Sequence, residues 1–287
     1  MRRLIFGCGY LGRRAAMTWL ANGDEVFALT RSAENATNLS AVGIEPVVGD
    51  VTQPETLASL PDVDTILYSV GFDRNAGPTK REVYVDGPRH ALSAIKGRCG
   101  RLLHISSTSV YGQHDGEEID ESSPAEASHE SGVICREAEQ LVTEFSRSTG
   151  TQTTILRLSG IYGPGRLLSR VEAIREGLKL PGPTDSWLNL IHVDDAVSVV
   201  VKAASAPDLA PLYLVSDDEP IRRRDYYEAL ARLTDSPAPQ FDPDAVARHT
   251  RGLGKRCRND FLKEQLMKVT LKFPTITIGL PHALSSE

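Results

Sequence analysis

Short apolar segments alternate with longer segments of helical periodicity through the first half of the chain. Six of the apolar segments have the length and composition of buried strands: Leu4–Phe6, Glu25–Leu29, Ile44–Val48, Thr65–Ser69, Arg101–Ile105 and Thr153–Leu158. A helical or loop segment separates each strand from the next. Because parallel neighbours need crossover connections, and these cover both faces of a sheet, the pattern predicts an α/β fold with a Rossmann-type, doubly wound parallel sheet.

The alternation becomes irregular in the second half of the chain. Clusters of glycine and proline occur at Gly163–Gly165 and at Pro181–Pro183. Such clusters are typical of turns and loops. We therefore expect a Rossmann domain over residues 1–160 and a small C-terminal lobe over residues 161–287, which is interleaved with the sheet as part of one structural unit.

Composition narrows the class of partner. The 287 residues are 40% hydrophobic and 24% charged, with a net charge of −6 and no long run of Lys or Arg. This charge argues against a nucleic-acid or membrane partner and favours a small molecule. The four cysteines have no metal-ligand spacing, and neither a signal segment nor a bilayer-length apolar run is present. We expect a cytoplasmic protein with free thiols and no metal.

A glycine motif lies between the first strand and the first amphipathic helix. Gly7, Gly9 and Gly12 fit the pattern G-x-G-x-x-G, with Tyr10 and Leu11 inside it. The first glycine allows a tight turn, the second lets the backbone approach a pyrophosphate, and the third lets the helix pack on its strand. The motif in this context predicts that the first domain binds NAD(P).

The end of the second strand bears on the choice between the two dinucleotides. An NAD-binding protein normally places a carboxylate there to accept hydrogen bonds from the ribose 2′-hydroxyl. This chain has Thr30, Arg31 and Ser32 instead, a set that suits a 2′-phosphate. The sequence therefore favours NADP(H) over NAD(H), with a purely solvated Arg31 as the alternative.

The ends of the third and fourth strands complete the predicted cofactor site. They are followed by Asp50 and Val51, and by the segment Ser69, Val70 and Gly71. The carboxyl ends of parallel strands meet the ligand in an open α/β sheet. We expect these residues to border the adenine and the second ribose.

Three later segments resemble a known family in their order and spacing. They are His104–Gly112, Ile155–Gly165 and Asn189–Ala196, and a tail over Lys255–Leu280 is similar to that of a small atypical branch. The chain resembles the extended short-chain dehydrogenases, the NAD-dependent epimerase/dehydratase family, whose members act largely on nucleotide sugars. The resemblance implies a Rossmann oxidoreductase or epimerase with a sugar-like or nucleotide-sugar-like substrate.

The resemblance also implies catalytic residues, and the chain departs from them at one place. Ser107 matches the family's catalytic serine. The family's Tyr-x-x-x-Lys pair aligns with Ser131 and Cys135, so both of its members are replaced. A serine hydroxyl is too weak an acid to exchange protons as a phenol does, and a thiol has no fixed positive charge. We expect Tyr111 to be the substitute acid–base group, and Ser131 is a further candidate catalytic residue by its place in the resemblance.

Further residues are candidates for substrate contacts. In the resemblance they flank the pocket supplied by the smaller lobe, or they carry a guanidinium suited to phosphates or carboxylates: Ser109, Arg157, Tyr162 and Arg166. Arg157 has a structural role as its alternative. His192, Asp194 and Asp195 look like a metal or acid group in isolation, but the resemblance puts them at the start of a helix, where acids are stabilised.

Two functions remain open at this stage. The first is an NADP(H)-dependent epimerase, dehydratase or reductase of atypical chemistry. The second is a non-catalytic NADP(H)-binding sensor or regulatory module, which the loss of the Tyr and Lys suggests. Family members often pair through helices that here correspond to Thr79–Lys96 and Ser131–Ser148, so a homodimer is expected.

Overall fold

A seven-stranded sheet forms the centre of the computed structural model, which describes residues 1–166, 170–242, 245, 254–267 and 270–285. Up to residue 158 the elements are β1 (Arg2–Phe6), α1 (Tyr10–Ala21), β2 (Glu25–Thr30), α2 (Ala33–Ser40), β3 (Glu45–Val48), β4 (Val63–Tyr68), α3 (Gly87–Ala94), β5 (Cys99–Ser107), β6 (Glu117–Ile119), α4 (Glu130–Thr149) and β7 (Gln152–Leu158). Beyond it they are β8 (Gly160–Tyr162), α5 (Val171–Arg175), β9 (Leu180–Pro181), β10 (Trp187–Leu188), β11 (Leu190–His192), α6 (Val193–Ser205), β12 (Leu212–Val215), β13 (Ile221–Arg222), α7 (Arg223–Leu233), β14 (Phe241–Asp242), β15 (Lys255–Cys257), α8 (Asp260–Leu262) and α9 (Ile276–Ser285).

The strand order of the central sheet is β12-β7-β5-β4-β1-β2-β3. Strand β1 is parallel to both β2 and β4, and the pairs β2·β3 and β4·β5 are also parallel. The chain runs from β1 outward to β3 and then returns to β4 on the other side of β1, so the order reverses between β1 and β4. This reversal is the point where open α/β sheets bind ligands. The predicted fold class is confirmed, with all six predicted strands present.

The described chain divides into two units, and neither is continuous in sequence. The first contains Met1–Val110, Glu126–Arg157 and Val197–Tyr213; the second contains Tyr111–Ala125, Leu158–Ala196 and Leu214–Glu287. The predicted division at residue 160 stays a prediction. Among the described residues, no helix is both long and apolar enough to cross a membrane.

Two arginines anchor the late segment of the first unit. Arg101 donates to the carbonyl oxygens of Ala203 (2.6 Å) and Ala206 (2.7 Å), and Arg3 donates to that of Ala204 (3.2 Å). The last carbonyls of a helix have no partner within the helix. The two guanidinium groups therefore satisfy the C-terminal end of α6 and hold it against the sheet.

An aromatic row crosses three strands of the first unit. Phe6, Tyr68 and His104 are register partners on β1, β4 and β5, with ring centroids 5.6 and 5.5 Å apart. His104 is buried, and burial lowers the pKa of its imidazole from 6.5 to about 4, against the smaller opposing effect of Glu139. The imidazole is therefore neutral at pH 7 and packs as a core ring.

The second unit has its own core and four two-stranded pairings: β10·β13, β8·β11, β9·β14 and β6·β15. Its core includes Tyr162, Ile174, Leu180 and Leu230. The carboxylate of Asp195 accepts hydrogen bonds from the amides of Lys272 and Phe273, both at 2.8 Å. Asp195 thus ties the start of α6 to the segment before α9, which is a structural role.

Candidate functional site

The glycine motif forms a turn in which neighbouring atoms fill the space at Gly7 and Gly12 but leave space at Gly9. Gly7 has φ +87°, and a Cβ built on it would lie 2.5 Å from the Ser69 carbonyl oxygen. A Cβ on Gly12 would overlap the Gly7 carbonyl oxygen, whereas no described atom lies within 4 Å of a Cβ on Gly9. The first and third glycines are required by packing, and the space at the second is available to a ligand.

The N-terminus of α1 lies next to this open space, and its partial positive charge suits an anion. Gly9 is its N-cap, and the first turn contains no acidic residue. The amides at a helix N-terminus attract anions because they lack partners within the helix. Within the motif, Leu11 is buried in the core, and Tyr10 is half-buried with its ring under the Arg14 guanidinium, 4.1 Å away. These residues fit a dinucleotide pyrophosphate.

Ser69 connects the end of β4 to the glycine turn. Its hydroxyl donates to the carbonyl oxygens of Gly7 (3.0 Å) and Phe6 (3.3 Å), and its amide donates to that of Phe6 (2.8 Å). Val70 is half-buried, and Gly71 is exposed with no described atom within 4 Å of its Cβ position. Ser69 therefore fixes the turn, and its contact with the cofactor stays a prediction.

The turn after β3 is held by its own polar groups. One oxygen of Asp50 accepts from the amide and the hydroxyl of Thr52, both at 2.8 Å, and the Asp50 amide donates to the Thr56 hydroxyl at 2.8 Å. Val51 is buried against Gly87, whose Cβ would lie 2.9 Å from it. These bonds keep the turn rigid at the carboxyl end of β3.

The last residue of β2 and the two residues after it have different surroundings. Thr30 is buried, and the Ser32 hydroxyl caps α2 by accepting from the Asn35 amide at 3.2 Å. The Arg31 side chain is 52% exposed, and its guanidinium lies 3.9 Å from the Asp73 carboxylate, which is 53% exposed. Such a surface ion pair contributes little free energy. Asp73 therefore presents only a weak competitor to a phosphate at Arg31.

The serines predicted for catalysis and for substrate contact lie in or beside one turn of the first unit. Strand β5 ends at Ser107, whose hydroxyl accepts from the Ser109 amide at 3.1 Å, and the Ser109 hydroxyl lies 3.9 Å from the Cys135 sulfur. A Cβ on Gly132 would overlap the Ser109 carbonyl oxygen. Helix α4 therefore presses its first turns against the 3₁₀ turn after β5, which brings Ser131 and Cys135 to this turn.

Lys80 is a member of this cluster that sequence reasoning missed. Its ammonium group donates a hydrogen bond to the Ser131 hydroxyl across 51 residues of chain, and both side chains are half-buried. The next residue, Arg81, pairs with Glu137 on α4 at 2.7 Å. A cation thus lies at the position where the family's Tyr is replaced. No local pattern around Lys80 signals this contact.

Arg157 has a carboxylate partner inside the first unit. Its Nε and Nη2 donate to the two oxygens of Glu139 at 2.8 and 2.7 Å, and both side chains are buried. Glu139 also accepts from Ser106 (2.7 Å) and from Arg136 (3.1 Å). This network joins α4 to β5 and β7, which is the structural alternative for Arg157; a contact with substrate stays a prediction.

The remaining candidates belong to the second unit. Tyr111 is buried, its hydroxyl donates to the Asp120 carbonyl at 2.8 Å, and its own carbonyl accepts from Lys255 at 2.6 Å. Tyr162 is buried edge-on to His192, and burial followed by the Asp217 charge raises the pKa of its phenol. Arg166 is exposed. The bonded, buried hydroxyl of Tyr111 makes it a poorer proton donor than its sequence position suggests.

One cluster of the second unit has the composition of a metal site. Possible ligand atoms of His192, Asp194 and His282 all lie within 4.8 Å of one another. The Asp194 amide donates to Nδ1 of His192 at 3.1 Å, so the proton of that ring is on Nε2, 3.2 Å from Nδ1 of His282. A metal at Nε2 would have to displace this proton, so the cluster is better described as a hydrogen-bonded chain.

Comparisons with known proteins identify the family. The profile of the "NAD dependent epimerase/dehydratase family" matches residues 4–214. Protein YeeZ of Escherichia coli K12 is 30% identical over 245 residues, covering 83% of this chain and 85% of that protein. A "4-hydroxy-2-methyl-3-oxo-4-farnesyl-3,4-dihydroquinoline-1-oxide ketoreductase" of Stigmatella aurantiaca is 27% identical over 237 residues, covering 78% and 70%.

The fold is shared with a solved enzyme complex. The crystal structure of the UDP-glucuronic acid 4-epimerase of Bacillus cereus with UDP-glucuronic acid and NAD has a TM-score of 0.81 and 17% identity, covering 100% of this chain and 98% of that one. At this identity the likeness concerns the fold alone. Together with the profile match, these results show that the chain belongs to the NAD-dependent epimerase/dehydratase family.

Proposed function

We propose that the chain binds NADP(H) at the glycine turn and catalyses oxidoreductase or epimerase chemistry on a sugar-like carbonyl or hydroxyl. The observation that carries the proposal is the open space at Gly9, next to the amides of α1 and between two glycines that packing requires. Gly7, Gly9, Gly12 and the α1 amides would hold the pyrophosphate. When bound, the nicotinamide would supply or accept a hydride.

The preference for NADP(H) rests on Arg31. Its guanidinium is half exposed, is only weakly paired, and follows the strand whose end normally meets the adenine ribose. A guanidinium binds phosphate oxygens in two-point fashion but cannot accept a hydrogen bond from a 2′-hydroxyl. Asp50, Val51, Ser69, Val70 and Gly71 would border the rest of the cofactor.

Calorimetric titration with NADPH and NADH tests the cofactor site. Arg31→Ala should weaken NADPH binding at least about tenfold, or about 1.4 kcal/mol, and leave NADH binding nearly unchanged. Arg2→Ala is the matched control, because Arg2 is a comparably exposed arginine at the N-terminal end of β1, away from the glycine turn. Equal losses for both nucleotides would contradict the preference.

A second variant tests the turn itself. Gly9→Asp places a carboxylate where the pyrophosphate is expected, and the open space around Gly9 allows the chain to fold. Binding of both nucleotides should be abolished. Gly9→Ala separates the effect of bulk from that of charge. Unchanged binding in Gly9→Asp would show that the turn is not the cofactor site.

A non-catalytic NADP(H) sensor is the second candidate, because Ser131 and Cys135 occupy the places of the family's Tyr and Lys. The two candidates differ in turnover. An enzyme oxidises or reduces its bound cofactor when a substrate is present, whereas a sensor binds both redox forms without turnover. Two features support the enzyme: Ser107 is retained, and a cation is present beside Ser131.

We also propose a cytoplasmic location, a nucleotide sugar as one possible substrate and a homodimer formed through α3 and α4. The nucleotide sugar is suggested by the ligand of the Bacillus cereus epimerase. Light scattering of the purified chain tests the dimer, and competition of UDP-sugars with a fluorescent UDP derivative tests the substrate class.

A further inference from the structure

We propose that Lys80 supplies the proton for carbonyl reduction through the hydroxyl of Ser131, so that this chain works as a reductase. The inference rests on the proposed function, since it assumes a reduced nicotinamide in the first unit. Ser131 is the residue that touches the substrate oxygen. Lys80 does not touch the substrate in this proposal. It acts through Ser131, so it is a positioning residue.

The contacts of the first unit carry this proposal. The Lys80 ammonium donates to the Ser131 hydroxyl, which leaves the hydroxyl's own proton available to another acceptor. The packing of Gly132 on Ser109 holds Ser131 beside the turn that follows β5. Ser107, which matches the family's catalytic serine, accepts from the Ser109 amide in that same turn. The Lys80–Ser131 contact therefore lies one residue from the place where α4 packs on the turn that carries Ser107 and Ser109.

The reaction balances in the reductive direction. A reduced nicotinamide bound in the first unit would supply a hydride to the carbonyl carbon, and the electron pair of the C=O bond would move to the oxygen. That oxygen would take the Ser131 proton, Ser131 would take a proton from the Lys80 ammonium, and a proton (H⁺) from solvent would restore the ammonium. The substrate is reduced to an alcohol and the nicotinamide is oxidised.

The same chain of groups serves oxidation poorly. An alkoxide is far more basic than an amine, so an ammonium group delivers a proton to it readily. Oxidation requires the neutral amine to accept a proton through Ser131, whereas reduction uses the ammonium form, which donates to Ser131 in the structure. The Lys80–Ser131 pair is therefore arranged to donate a proton, as reduction requires.

NADPH consumption with isatin, ethyl acetoacetate and UDP-4-keto-6-deoxyglucose tests the inference. Lys80→Met and Ser131→Ala should each lower kcat by about 10²-fold, the usual contribution of a general acid, with NADPH affinity within about twofold of wild type. Arg81→Met is the matched control, because it removes a neighbouring cation that also contacts α4 but does not touch Ser131. Its kcat should stay within about twofold of wild type.

Chemical rescue separates proton donation from structural support. Methylammonium ions should raise the kcat of Lys80→Ala at least about tenfold. Tetramethylammonium has the charge but no N–H proton to donate, so it should not raise kcat. Rescue by both ions, or full activity in Lys80→Met, would overturn the proton role. A wild type that binds NADPH but reduces no ketone would instead contradict the proposed function, and with it the relay.

Discussion

A single atom decides whether helix α4 reaches its position beside the turn after β5. A Cβ on Gly132 would overlap the Ser109 carbonyl oxygen and would lie 2.7 Å from the Ala127 side chain. Backbone atoms cannot yield as a flexible side chain does. The glycine is therefore required by close approach, although it lies in a helix.

Gly132→Ala should force α4 away from the turn and lower the free energy of unfolding by about 1–3 kcal/mol, the usual cost of overpacking. Urea denaturation measures this change. Gly9→Ala is the control, since nothing described lies within 4 Å of its Cβ position. A wild-type denaturation midpoint for Gly132→Ala would refute the close contact.

Glu139 is a second residue that should strongly affect stability, because its carboxylate is buried. Glu139→Gln leaves the buried Arg157 guanidinium without its carboxylate, and breaking a buried pair costs about 3–5 kcal/mol. Arg136→Ala removes an exposed partner of the same carboxylate, so it should cost no more than about 1 kcal/mol. Equal losses in urea denaturation would show that burial does not distinguish the two arginines.

Strands β1, β4 and β5 are joined by more than backbone hydrogen bonds, because Phe6, Tyr68 and His104 stack across them. The row works only while the imidazole is neutral. Its pKa is lowered to about 4 in the folded chain, so the unfolded chain binds the proton first as the pH falls.

The free energy of unfolding should therefore decrease as the pH falls from about 6.5, the ordinary histidine pKa, towards 4. His104→Phe, which keeps a ring but cannot titrate, should reduce this dependence. His114→Gln, at an exposed histidine, should leave it unchanged. Denaturant titrations at pH 7, 6, 5 and 4 compare the slopes; parallel slopes for wild type and His104→Phe would contradict the assignment.

At the scale of the whole molecule, the features that depend on hydrophobic periodicity and on motif spacing were predicted from the sequence. The six strands follow from short apolar runs, and the glycine turn follows from a motif whose spacing is fixed by one strand and one helix. Strand β12 and the return of Val197–Tyr213 to the first unit were not predicted. The capping of α6 by Arg3 and Arg101 holds part of this segment, and it joins residues 102 to 201 positions apart, which no local pattern encodes.

In the candidate site, too, some residues were predicted from the sequence and others were not. Ser107, Ser109 and Ser131 were found by family resemblance, and the structure brings them to one turn. Lys80 was missed because its contact with Ser131 spans 51 residues. The sequence predicted Arg157 as a substrate contact or a structural residue, but it did not predict Glu139 as its buried partner. Contacts between residues that are distant in sequence are the information that a single sequence lacks.

The bonds from Ser69 to Phe6 and Gly7 have a kinetic consequence. Since the turn between β1 and α1 is already ordered by β4, the conformational entropy of that turn is lost during folding and not during nucleotide capture. Association then needs no slow rearrangement of the loop. The observed rate in stopped-flow mixing should rise linearly with nucleotide concentration and show no plateau.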